Sequence, residues 1–128
     1  MLGDIVHGAP VYVKKPPFNY SDTGYTTFAK NNESRPGMVY AAANDGMLHA
    51  FRDCDAQELW AFAPDNVLSN LKYLPENDHT TYVDSPPSIL FYDREEDGNV
   101  DIGTDKVIVM FGLRRGGAGE RDDLGTLA

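Results

Sequence analysis

The sequence is poor in the features that would point to covalent chemistry or to a membrane. It has one cysteine, Cys54, so no internal disulfide framework can form, and a single thiol does not identify a redox compartment. Asp53 and Asp55 flank it, and neighbouring carboxylates disfavour a thiolate, so a nucleophile is not expected there. The three histidines, His7, His49 and His79, are scattered without metal-ligand spacing, which favours structural or surface roles over zinc. Basic residues number 11 against 20 acidic ones, a formal charge of −9. That balance argues against nucleic acid as a partner, because neutralising phosphates takes clustered Lys and Arg. No apolar run approaches the roughly 20 residues of a membrane-spanning helix; Lys106 to Leu113 is far shorter. Direct membrane insertion is therefore not expected. The first residues lack the basic start and continuous apolar region of a secretory signal, so the signal of an exported protein would lie outside this segment.

What the chain does have is a succession of short apolar runs, at residues 9–13, 37–43, 46–51, 57–63, 88–92 and 106–111, each bounded by Gly, Pro, Asn or Asp. Runs of this length and punctuation read as strands. Only Pro64 to Leu74 has helical spacing, with Val67, Leu68, Leu71 and Leu74 on one face and Asp65 or Asn66 as a cap. Lys14 to Pro36 is rich in Pro, Asn, Ser, Thr and Tyr without periodicity, and reads as a long surface loop. The expectation is an all-β fold of antiparallel strands with one short helix, in a single segment of 128 residues.

The most ordered pattern begins at Tyr40–Phe51 (YAAANDGMLHAF) and continues through Glu58–Phe62 (ELWAF). Asn44-Asp45-Gly46 supplies residues that tolerate positive φ between two strands, and Asp53 to Ala56 turns the chain again, so a three-stranded meander is expected. Small residues would let neighbouring sheets approach, and Trp60 would fill the wedge between them. Tyr40, Leu48, Phe51, Trp60 and Phe62 are the expected core. This pattern resembles the blade repeat of quinoprotein-like β-propellers.

One branch of that superfamily is a closer likeness. Leu2–Val13 (LGDIVHGAPVYV), Tyr40–Phe51, Glu58–Pro64 (ELWAFAP), Tyr82–Pro87 (YVDSPP) and Phe111–Gly117 (FGLRRGG) follow the order of motifs in the PilC/PilY-type proteins of type IV pili, which the chain resembles over residues 2–117. The resemblance implies a partial propeller, a role in pilus biogenesis, adhesion and twitching motility at the bacterial surface, and no catalytic activity. It also implies minor pilins, a host-surface receptor and the remaining propeller blades as partners. Residues 118–128 depart from the aromatic strand that usually follows the Arg-Arg-Gly-Gly turn, as a frameshift or truncation would produce. Blades take roughly 40–50 residues and at least four close a ring, so the chain is expected to be a fragment with open edges. A second reading, a fragment of a pyrroloquinoline-quinone-dependent dehydrogenase, is weakened by the single cysteine, since those enzymes carry a vicinal disulfide against the cofactor.

Residues 93–105 hold six carboxylates against Arg94 alone, a net −5 out of the total −9. Asp93, Glu95, Asp97 and Asp101 fall at positions 1, 3, 5 and 9 of an EF-hand-type loop, with Gly98 at 6 and the Asn99 carbonyl at 7. Those five residues, Asp93, Glu95, Asp97, Asn99 and Asp101, are the candidate Ca²⁺ ligands. Thr104 stands at position 12 in place of the bidentate Glu, which implies weak binding, roughly 0.1–1 mM. The plainer alternative is a solvated acidic hairpin loop. Arg114-Arg115-Gly116-Gly117 and Asp84-Ser85-Pro86-Pro87 read first as turns, and neither is assigned chemistry.

Overall fold

The computed structural model describes residues 3–16, 23–73, 75, 81–97 and 104–113. Four strands form one antiparallel sheet: β1 (Val11–Val13), β2 (Met38–Ala43), β3 (Met47–Arg52) and β4 (Glu58–Phe62), in the order β1-β2-β3-β4. Two more, β5 (Ser88–Tyr92) and β6 (Lys106–Met110), form a separate antiparallel hairpin. The expected meander is therefore present, and β1 extends it to a four-stranded blade through Val11 opposite Tyr40 and Val13 opposite Met38. Gly46, at φ +86°, makes the β2–β3 turn, and Ala56, at φ +55°, the β3–β4 turn.

One face of the blade is the core. Tyr40 and Ala42 of β2, Leu48 and Ala50 of β3 and Val13 of β1 are buried with Val67, Tyr82 and Val83. The β5–β6 hairpin closes over this face with its inward residues Ile89, Phe91 and Val109. Ala42 and Ala50 on this face leave room for that close approach, because a sheet interior packs to near-crystalline density.

Two of the five expected core residues lie elsewhere. Trp60 is 42% exposed and Phe62 53% exposed, and every residue of β4 is exposed. The reason is topological: β4 is the outermost strand, so its aromatics touch the core only at its margin, Trp60 beside Tyr40 and Phe62 edge-on to Phe111. Tyr40 and Leu48 are buried as expected, and Phe51 is half-buried.

Helix content also differs from the sequence reading. The stretch read as loop contains α1 (Thr23–Asn31), whose Thr, Gly and Asn are weak helix formers. Tertiary contact supplies what propensity lacks: Phe28 packs edge-on against Phe91 of β5, and the buried Asn32 amide donates to the Phe28 carbonyl at 2.8 Å, capping the last turn. The second helical stretch is shorter than its spacing predicts, α2 (Asp65–Leu68) followed by a 3₁₀ turn at Leu71–Tyr73. Pro64 occupies its N-cap with no side-chain hydrogen bond, in place of Asp65 or Asn66. Val67 is buried, Leu68 is exposed, and Leu74 lies outside the described residues.

Candidate functional site

Strands β5 and β6 pair from Ser88 opposite Met110 to Tyr92 opposite Lys106. That register brings Asp93 and Asp105, the two ends of the acidic stretch, side by side at one end of the hairpin. The backbone N–H of Arg94 donates to Asp105 Oδ1 at 2.9 Å, closing the base of the loop. Thr104 stands at that closed end with its hydroxyl oxygen withdrawn from solvent and, among the described residues, without a hydrogen-bond partner. Glu95, Glu96 and Asp97 are exposed and Asp93 half-buried, and Glu96 adopts φ +56°, which turns the chain between Glu95 and Asp97. Among the described residues, no three His, Cys, Asp or Glu side chains form a metal-binding group. Asn99 and Asp101, two of the five expected ligands, lie outside the described residues, as do His79, the Arg114–Gly117 turn and residues 118–128. An all-oxygen, mostly anionic donor set is the kind that suits a hard cation such as calcium.

Two polar clusters, unassigned by sequence reasoning, hold the N-terminal stretch to the blade. Asp84 is 1% exposed and accepts the backbone N–H groups of His7 (2.7 Å) and Gly8 (2.9 Å) and lies 2.6 Å from His7 Nδ1. Burial alone would push its carboxyl up, but the His7 N–H, the His7 ring and the Gly8 N–H together hold it below the ordinary carboxylate range. The motif read as a turn is thus a buried clamp. Next to it, the Ser85 hydroxyl accepts the Gly112 N–H at 2.5 Å, tying the same segment to the end of β6.

The second cluster centres on His49, 4% exposed. Its Nε2 lies 2.9 Å from Asp45 and its Nδ1 2.8 Å from Glu58, and Phe51 stacks on the ring. Asp45 also accepts the Gly3 and Met47 N–H groups. A register shift between Ala50 and Phe51 places Glu58 opposite Phe51, which turns its carboxylate toward His49. Cys54 is exposed in the β3–β4 turn. The separation of the partners explains why sequence reasoning left the first cluster out: His7 and Asp84 are 77 residues apart, and no local pattern announces such a pairing. The second, His49 with Asp45 and Glu58, is close in sequence but depends on the β3–β4 register shift.

The model of the PilY1 beta-propeller domain family matches residues 2–120. The chain belongs to that family. The PilY1-family match runs from the clamped N-terminal stretch through the blade and the acidic loop. Among curated proteins, the chain is similar to the type IV pilus biogenesis factor PilY1 of Pseudomonas aeruginosa, 37% identical over 101 residues, which is 70% of this chain and 9% of that protein. It is also similar to a type IV pilus biogenesis factor PilY1 homolog of Xylella fastidiosa, 38% identical over 93 residues, 66% of this chain and 8% of that protein. The chain thus spans less than a tenth of the length of these PilY1 relatives. No solved structure matches it significantly. The antiparallel sheets are those of a partial β-propeller of this family. Among the described residues no helix is long and apolar enough to cross a membrane.

Proposed function

We propose that this chain is a non-catalytic, calcium-binding β-propeller module of a type IV pilus assembly and tip-adhesin protein, acting at the bacterial surface in pilus biogenesis, adhesion and twitching motility. The observation that supports the calcium reading is that the two ends of the 93–105 stretch meet, through the β5–β6 register and the Arg94–Asp105 hydrogen bond, as the closure of an EF-hand-type loop would need. Asp93, Glu95, Asp97 and Asp101 would supply carboxylate oxygens and Asn99 its carbonyl. Calcium would offset the mutual repulsion of a loop carrying a net −5. The pilus role rests on membership of a family whose curated relatives are pilus biogenesis factors, and minor pilins and a surface receptor are the partners it implies. The remaining blades would cover the outer face of the β5–β6 hairpin, where Leu90, Tyr92, Ile108 and Met110 are exposed. A sheet that is apolar on both faces is built to lie between two layers.

Calorimetric titration tests the calcium reading. Binding is expected at roughly 0.1–1 mM, with magnesium a poor substitute because it demands a tight octahedral shell. Asp97→Ala should abolish the heat, whereas Glu96→Ala, at a non-ligand position, should leave it intact. No binding up to several times that range, or equal loss in both variants, would leave only a solvated acidic loop.

A further inference from the structure

The outer edge of β4 is unusual for an exposed strand. β4 pairs with β3 alone, and among the described residues no other backbone hydrogen bond reaches Glu58 to Phe62. Natural edge strands are blunted by lysine, proline or an inward charge, because unpaired N–H and C=O groups invite another strand. The 60–62 stretch, Trp-Ala-Phe, has none of these, and both aromatics are exposed. The bulge that shifts the β3–β4 register lies before Trp60, so Trp60, Ala61 and Phe62 form the regular part of the edge.

We propose that the open edge of β4 is a self-association site, at which β4 of a second copy adds antiparallel with Ala61 on the two-fold axis. The sequence is self-complementary in that register. Ala61 meets Ala61 at the axis, and Trp60 of each strand faces Phe62 of the other, giving two aromatic cross-strand pairs on one face. The only charge on the strand, Glu58, falls opposite Pro64 of the partner, well away from the partner's own Glu58. Charge does not oppose pairing at this edge: Phe62 packs on Phe111, beyond the end of β6 that lies opposite Asp105, and the length of β6 puts Asp105 roughly 17 Å away, beyond the Debye length of about 10 Å at 0.1 M salt.

Trp60 is the only tryptophan in the chain, so its emission reports on this edge alone. Sedimentation velocity and tryptophan fluorescence, followed together against protein concentration, should show a dimer that closes at two copies, a blue shift tracking its formation, and tighter association at higher salt. Ala61→Lys sets two ammonium groups directly opposite each other and should weaken the dimer at least tenfold, roughly the cost of opposed like charges plus disturbed aromatic pairs. Phe62→Thr should weaken it as well, which guards against a folding defect in the first variant. Met110→Lys, on the outer hairpin face, should leave it unchanged. A monomer at all concentrations would overturn the proposal. So would open-ended assembly, association without a change in Trp60 emission, or association lost on Met110→Lys and retained on Ala61→Lys.

Discussion

Asp84 gathers its contacts with His7 and Gly8 from a stretch more than seventy residues away, and its removal leaves these partly buried donors without their acceptor. Asp84→Asn keeps the shape but replaces one acceptor oxygen with a donor, so a loss of about 1–3 kcal/mol is expected in denaturant unfolding. The pH dependence follows from the lowered folded-state pKa. A carboxyl held below its unfolded value contributes stability that is complete above that value, near 3.8, and fades as pH falls through the folded one. The difference in stability between the parent and Asp84→Asn should therefore be flat at neutral pH and shrink in acid, below about pH 4. A difference that grew on acidification would contradict this account. His7 could be read from sequence as structural, but its partner could not, since the pairing exists only once the blade has closed. Trp60 failed in the opposite direction: its size argues for burial, yet burial belongs to the strand's place in the sheet.

Strand existence was legible element by element because each run carried its own apolar residues and its own turn. Asn44-Asp45-Gly46 set the β2–β3 connection and the Asp53–Ala56 stretch the next one. Helix α1 was not legible, since what holds it, Phe28 on Phe91 and Asn32 on the Phe28 carbonyl, is tertiary rather than periodic. Burial and exposure within the blade give two further expectations. Leu48, 2% exposed on β3 between its two neighbouring strands, should cost about 2–5 kcal/mol on replacement by alanine. Trp60→Ala on the outer strand should cost clearly less, about 1 kcal/mol, and chemical denaturation of the two variants side by side is the check. At the β2–β3 turn, a Cβ on Gly46 would both meet the Leu71 side chain and sit at φ +86°. Gly46→Ala should accordingly lower stability by about 1–3 kcal/mol, measurable as a shifted unfolding midpoint with unchanged slope.

For the molecule as a whole, the chain enters the second sheet through the 81–87 segment, whose Tyr82, Val83 and Asp84 are all buried, and Asp93 and Asp105 stand at the opposite end of that sheet from Ser88 and Met110. The spacing of the proposed calcium loop was readable in the sequence because its would-be ligands follow one another along the chain; that the two ends of the stretch meet needed the β5–β6 register. If calcium binds the folded loop and not the unfolded chain, the melting temperature should climb with the logarithm of calcium concentration above the dissociation constant, by about 1.4 kcal/mol of stability at tenfold saturation. Differential scanning calorimetry at several calcium concentrations measures it, and a melt indifferent to calcium would separate the loop from any metal. The Asp84 clamp also has a kinetic meaning. It joins residues 76 and 77 positions apart, and contacts of such long range require a large loop closure, so they form after the local meander. In stopped-flow experiments Asp84→Asn should therefore speed unfolding and leave the refolding rate nearly unchanged, which makes this clamp a brake on the release of the N-terminal stretch.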